Sequence, residues 1–243
     1  MSDLKLNGLN SLVGTLEAPG VLKSDGRRVY FVRHGVTEWN REFRYQGVSN
    51  IPLSEEGEVQ ATLTGLRFAF LGDKNVKIVT SPLLRAITTA KLIEEKLSKT
   101  DFEVWEDLKE IDFGEWEGLT GAEIVKKYGY EFFNKWMNAQ LDVEVPGGEK
   151  CDSVFNRARK VADKILNSSE KNLIVVGHGA LLRTLFVPML NQPKSNVFWK
   201  MRLDNCSVSG MSITENKKAT ILFYNDIMHL KVKDNVVSKL TLL

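Results

Sequence analysis

Two of the three histidines in this chain stand where an imidazole could act on an anion. His34 lies in Arg33-His34-Gly35, directly after the apolar run Val29, Tyr30, Phe31, Val32, and His178 lies in Gly177-His178-Gly179, directly after Leu173 to Val176. A run without polar alternation reads as a strand buried on both faces, so each histidine falls at the carboxyl end of a buried strand. In open α/β sheets such ends form the ligand crevice. If the two strands are neighbours, about 5 Å apart, both rings face one ligand. Glycine beside each histidine is expected to let backbone amides approach an anion closely. Arg33 precedes the first histidine, and Arg85 follows a third strand end in Thr80-Ser81-Pro82-Leu83-Leu84-Arg85-Ala86. A guanidinium is always charged and offers paired donors that fit phosphate oxygens. Two arginines around a histidine would hold a phosphoryl dianion while an imidazole nitrogen attacks phosphorus. This chemistry asks for no metal, and three histidines without an HExxH spacing or clustered carboxylates give little to build a metal centre.

These positions require an α/β framework. Besides the two runs above, Val76 to Thr80 reads as a buried strand. Between the runs lie amphipathic stretches: Ser54 to Leu71 with a serine cap and acidic first turn, a helix from Pro82 through Leu97, one over residues 120 to 138, and Cys151 to Leu166 with Val154, Phe155, Ala158, Val161, Ala162 and Ile165 on one face. Val208 to Ile213 and Ala219 to Phe223 flank Glu215-Asn216-Lys217-Lys218 as a terminal hairpin. The expected fold is a three-layer α/β sandwich, a mixed and mainly parallel sheet with helices on both faces. Residues 1–28 carry five Gly or Pro without a sustained period and read as an N-terminal extension; residues 29–243 read as a single catalytic domain.

Composition excludes several classes. A formal net charge of +2 in 243 residues gives no global field for nucleic acid or a membrane surface, so an anion site must come from a few placed arginines. No segment reaches the 18 or so apolar residues of a membrane span. Cys151 and Cys206 are far apart and outside any CxxC spacing, and the start lacks a signal-peptide pattern, so a cytoplasmic location is expected.

Taken in order, the motifs resemble the histidine phosphatase superfamily, the phosphoglycerate mutase-like enzymes. Val32-Arg33-His34-Gly35-Val36-Thr37-Glu38-Trp39-Asn40 resembles the family's nucleophile loop and continues through Arg44, Gln46-Gly47 and Asn50-Ile51-Pro52-Leu53-Ser54. Ser81-Pro82-Leu83 with Arg85-Ala86 and Thr89-Ala90 has the form that places the next phosphate arginine. Leu108 and Glu110, then Asp112-Phe113-Gly114 and Trp116-Glu117-Gly118, resemble the stretch whose first glutamate is the proton donor. Pro146-Gly147-Gly148-Glu149 and Val176-Gly177-His178-Gly179 complete the series, which spans roughly residues 29 to 230. Asn50 stands where aspartate is commoner, and Lys150-Cys151 where a serine often follows.

The resemblance implies His34 as nucleophile, Arg33, Arg85 and His178 around the phosphate, Asn40 as a further donor, Gln46 and Gly47 in the substrate site, and Glu110 as acid. The adjacent dianionic phosphate would favour the protonated form of Glu110. Glu117 is the rival carboxylate, placed by its Trp-Glu-Gly context as a loop-fixing or exposed residue. His229 is expected to support the site rather than react, while Arg44 and Trp39 either touch substrate or brace the loop. The insert between Glu110 and His178 resembles the shorter one of the phosphatase branch. Its Phe113, Trp116, Tyr128, Tyr130, Phe132, Phe133 and Trp136 either cap a pocket or pack a helix on the domain. The expected activity is a cofactor-independent phosphomonoesterase for a small phosphorylated substrate; a cofactor-dependent phosphoglycerate mutase and a catalytically silent binding module are the alternatives. The sequence admits a homodimer without fixing the oligomeric state.

Overall fold

The computed structural model describes residues 26–71, 76–98, 100–139, 143–194 and 200–231; most of the expected N-terminal extension lies outside them. Six strands form one sheet in the order β3-β2-β4-β1-β5-β6. They are β1 (Arg27–Arg33), β2 (Val76–Thr80), β3 (Thr100–Val104), β4 (Asn172–Gly177), β5 (Val208–Ile213) and β6 (Ala219–Asp226). The first four in that spatial order are parallel, and β5 and β6 close one side as the expected antiparallel hairpin.

Alternation along the central strands explains the three layers. Val29, Phe31, Leu173 and Val175 pack into one core with Val154, Ala158, Val161 and Ile165 of α6 (Cys151–Leu166) and Leu181, Leu185 and Phe186 of α7 (Gly179–Met189). Tyr30, Val32, Ile174 and Val176 point the other way, against Phe68 of α2 (Glu55–Leu71) and Ala86, Ala90 and Ile93 of α3 (Leu84–Glu94). Both faces of β1 and β4 are therefore dry, which is why those strands read as unbroken apolar runs. No helix among the described residues is long and apolar enough to cross a membrane.

Three elements depart from the sequence reading. The helix expected from Pro82 starts at Leu84 and ends at Glu94, because Leu83 is extended and the cap comes from afar: Asn50 Oδ1 accepts from Leu84 N at 2.7 Å. The helix expected over residues 120 to 138 is two, α4 (Gly121–Tyr128) and α5 (Tyr130–Ala139), broken at Gly129 with φ of 87°. Strand β3 was not expected. Its sequence, Thr-Asp-Phe-Glu-Val, is charged and only partly covered, as an edge strand's is.

Candidate active site

The register of the sheet brings the two histidines together. β1 and β4 are neighbours, with Arg33 paired to Gly177, and His34 N donates to Gly177 O at 2.9 Å. The ring centroids of His34 and His178 are consequently 5.2 Å apart. β2 lies on the other side of β4, and Ser81 N donates to Val176 O at 3.0 Å, so three adjacent strand ends deliver His34, His178 and the segment that carries Arg85.

The imidazole of His34 is presented in one usable form. Its Nδ1 lies 2.7 Å from Gly35 O. A carbonyl only accepts, so Nδ1 carries the hydrogen and the Nε2 lone pair is left for other work. Burial, and then the charges of Arg85 and Arg33, hold the ring well below the usual histidine range, so it is neutral at pH 7. His178 is fully buried behind it and is also held low, first by burial. Its Nε2 is 2.7 Å from Ser81 Oγ, which itself accepts from Leu83 N. The serine hydroxyl can give its hydrogen to Nε2, an arrangement that makes His178 Nδ1 an N–H donor.

The arginines are anchored by part of each guanidinium. Arg33 Nη1 donates to Leu203 O at 2.7 Å; Arg85, fully buried, donates from Nη2 to Gly47 O and from Nη1 to Ser49 O, both at 2.7 Å. Arg33 Nε, Arg85 Nε and His178 Nδ1 are buried without a partner. Desolvation lowers both arginines to about 10, which still leaves them charged at neutral pH. Buried donors without acceptors are costly, and an anion among them would satisfy all three.

Glu110 enters from the far side. Its Oε2 accepts from Ala180 N at 3.0 Å, and its Oε1 from Leu181 N at 2.9 Å and Ile111 N at 3.0 Å. It thus occupies the first turn of α7, where N–H groups have no helical partner. The Pro-Gly-Gly-Glu motif supports this placement: Glu149 pairs with Arg157 at 2.6 Å, and Arg157 donates to Lys109 O at 2.6 Å.

A cavity of about 550 Å³ is lined by Arg33, His34, Asn40, Gln46, Gly47, Arg85 and Glu110; His178 does not line it but is fully buried, with its ring 5.2 Å from that of His34. Asn40 spends its amide oxygen on Thr37 N, Thr37 Oγ1 and Asn205 Nδ2, which leaves its amide nitrogen for the cavity. Of the insert aromatics, Phe113 and Trp136 join Tyr45 as a cavity wall; Trp116 is fully buried with Tyr128, Phe132 and Phe133 packed around it, and Tyr130 is exposed. Both readings of that set therefore hold, for different members. Arg44 reaches the cavity but is tied to Glu42, Glu123 and Gly118 O, and Trp39 braces Gly118.

Glycine beside His34 does something other than expected. The Gly35 amide is committed to Thr89 Oγ1 at 3.0 Å, and a Cβ there would sit 2.4 Å from Gly57 O, so this glycine lets the loop press against α2. Sequence reasoning also missed Asn205 and Cys206. Asn205 Nδ2 donates to His34 O at 3.0 Å and Gly35 O at 3.3 Å, and Cys206 N to Arg33 O at 2.9 Å. They pin the His34 loop from a segment far along the chain, and only their turn-forming character marks them.

His229 lies off the cavity. It contacts Thr64 Oγ1 and Arg67 Nη1, each at 3.1 Å, and Arg67 pairs with Asp226 at 2.7 Å. Burial, and then Arg67, lowers His229 from 6.5 to about 4. The unfolded chain therefore binds this proton first, and the stability from a neutral His229 is present above 6.5 and lost as the pH falls toward 4. His229→Gln is expected to flatten the dependence of unfolding free energy on pH in that window by up to about 1.4 kcal/mol per pH unit. Urea titrations across the window measure this, and equal slopes for the two proteins would refute it.

Comparison with known proteins bears on this arrangement directly. The model of the histidine phosphatase superfamily (branch 1) matches residues 29–227. Phosphoserine phosphatase 1 of Hydrogenobacter thermophilus is 33% identical over 206 residues, 84% of this chain and 94% of that protein. The 2,3-bisphosphoglycerate-dependent phosphoglycerate mutase 2 of Gloeobacter violaceus is 35% identical over 65% of this chain and 73% of its own length. Among solved structures, a mutant phosphoserine phosphatase of Entamoeba histolytica in complex with phosphoserine superposes with a TM-score of 0.69 at 25% identity, over 84% of this chain and 98% of that one. With the ordered motifs gathered around one cavity and the match running through nearly every described element, this chain belongs to the histidine phosphatase superfamily and is a phosphoric monoester hydrolase.

Proposed function

We propose that the protein hydrolyses small phosphate esters without a metal, through a phosphohistidine on His34. One observation carries this reading: a neutral imidazole with its Nε2 lone pair free stands among the buried, unpartnered N–H groups of Arg33, Arg85 and His178. In the first step Nε2 forms a bond to phosphorus, the bond from phosphorus to the ester oxygen breaks, and that oxygen takes a proton from Glu110. In the second, water gives a proton to Glu110 and attacks phosphorus, releasing phosphate and restoring His34. Arg33, Arg85, His178 and the Asn40 amide hold the equatorial oxygens throughout, and the arginines supply the charge that a metal otherwise would. Among the described residues no three His, Cys, Asp or Glu side chains group as a metal site. The two free cysteines suit a reducing, cytoplasmic setting, and residues 29–243 acting as one catalytic unit suit the span of the family match.

The cavity has room for a small organic group beyond the phosphate. Tyr45, Phe113 and Trp136 offer an apolar wall, and Lys200 lines the cavity as a cation able to receive a carboxylate, beside Arg183, which donates to Gly179 O and Met201 O. O-phosphoserine, the substrate in the names of several relatives, therefore heads the substrate panel. The test is phosphate release from p-nitrophenyl phosphate and that panel in the presence of EDTA, with acid quenching to trap an acid-labile phosphoryl-enzyme. Full turnover in EDTA with a trapped phosphohistidine is expected. Loss of turnover on chelation, or conversion of 3- to 2-phosphoglycerate that depends on 2,3-bisphosphoglycerate, would replace this reading with another.

A further inference from the structure

The loop that anchors Arg85 is held from its opposite side by a carboxylate. Gly47 O accepts from Arg85 Nη2, and the N–H of the same peptide group, that of Val48, donates to Glu117 Oε1 at 2.8 Å. Ser49 is also held from both sides, though through two different peptide groups. Its carbonyl accepts from Arg85 Nη1, while its N–H donates to Glu117 Oε2 at 2.8 Å and its hydroxyl bonds the same oxygen. Phe113 N donates to Oε1 at 3.2 Å, tying the loop to the segment that follows Glu110.

One peptide unit thus has a guanidinium at its carbonyl end and a carboxylate at its N–H end. Each charge polarises the peptide in the direction that strengthens the bond to the other. The arrangement matters because Arg85 is fully buried and its two anchoring bonds go to neutral carbonyls, which do not cancel a charge. Glu117 is the carboxylate reached through the first of them, that of Gly47, and it adds to the stronger influence of Glu110. The backbone is shaped for it: Gly47 has φ of +50°, and a Cβ there would fall 1.8 Å from Glu117 Oε1. Only glycine lets the carboxylate close beneath the loop.

We infer that Glu117 is a positioning residue, which acts through the Gly47–Val48 peptide to fix the Arg85 guanidinium and offset its buried charge, so that Arg85 Nε is held ready for a phosphate oxygen. The inference rests on the phosphate site described above and gives a task to a carboxylate that touches no substrate.

The test uses the whole chain and inorganic phosphate at pH 7, with binding read by calorimetry and kcat/KM read on p-nitrophenyl phosphate. Glu117→Gln keeps the shape of the side chain and removes its charge. It is expected to weaken phosphate binding by about 10-fold and to lower kcat/KM by a similar factor. In an Arg85→Ala background the same substitution is expected to cost less than about 2-fold in kcat/KM, because no guanidinium is left to position. A purely structural role would cost the same in both backgrounds, so equal losses overturn the inference, as does wild-type phosphate affinity in folded Glu117→Gln. If Glu117→Gln does not fold, Ser49→Ala replaces it. That variant deletes one bond to Glu117 and is expected to weaken phosphate binding by roughly 2- to 5-fold; unchanged affinity overturns the inference. Wild-type turnover with an unaffected Glu117→Gln sinks this inference alone, whereas a wild type that neither binds phosphate nor hydrolyses esters sinks the phosphatase reading with it.

Discussion

His34→Ala is expected to lower kcat for phosphate-ester hydrolysis by ~10,000-fold or more while leaving the fold intact. The size follows from what the residue does in the proposed mechanism. The phosphoryl group passes through a covalent bond to Nε2, and among the described residues no second imidazole lines the cavity to take it, since His178 is fully buried with its Nε2 engaged by Ser81. Arg33, Arg85 and Glu110 would remain, and they would still gather and polarise the ester. Phosphate binding in the variant should therefore persist within about an order of magnitude while turnover disappears, because the loss falls on the transition state rather than on ground-state binding. The His34 side chain makes one bond, to the carbonyl of the next residue, so the thermal midpoint should change little. Stopped-time phosphate release and a melting curve on the same preparation decide the matter, and a variant with more than a few per cent of wild-type kcat would remove His34 from the nucleophile's role.

The second large effect is expected at Arg85. Arg85→Ala should reduce kcat/KM by ~100- to 1,000-fold, the cost of losing one preorganised charged donor from a site that stabilises a transferring phosphoryl group. Arg85→Lys should recover little of it. An ammonium is a compact point charge and cannot bond Gly47 O and Ser49 O with one edge while turning another donor to the substrate. The substitution also reaches His34. After burial, Arg85 is the largest influence holding the His34 ring below its ordinary range. Removing that positive charge favours the protonated ring, so His34 should titrate at higher pH in Arg85→Ala than in the wild type, though burial keeps it below the usual value. Imidazole nitrogen NMR as a function of pH, on both proteins, reads this directly. An unchanged His34 titration would show that the two groups do not feel one another, and with it the electrostatic account of the nucleophile would fail.

The chain's own pattern made much of this legible. Unbroken apolar runs mark β1 and β4 because those strands are covered on both faces, a run interrupted only by Lys77 marks β2, and the helical stripe of α6 marks the side that packs on them. β3 escaped notice because an edge strand carries charge and little cover, and the helix over residues 120 to 138 broke at a glycine whose left-handed backbone no periodicity reveals. His34, Arg33, Arg85 and Glu110 could be named from motifs because the chemistry of phosphoryl transfer restricts residue type at a strand end. Asn205 could not, since a group that acts by hydrogen bonding to backbone leaves no periodic trace, and the motifs that hold Ser81 and Glu117 left open what each one bonds to.

What the sequence by itself determined was the set of reactive groups and the kind of framework that carries them, because residue type sets chemistry and burial sets hydrophobic period. Only the tertiary structure decided how those groups meet. The pairing of β1 with β4 put two histidines 5.2 Å apart, and the Gly35 carbonyl chose which nitrogen of His34 keeps its lone pair. A carboxylate 69 residues after Val48 came to sit behind the loop that anchors Arg85. Each of these depends on strand order and on backbone groups brought together from distant parts of the chain, and local sequence does not encode either.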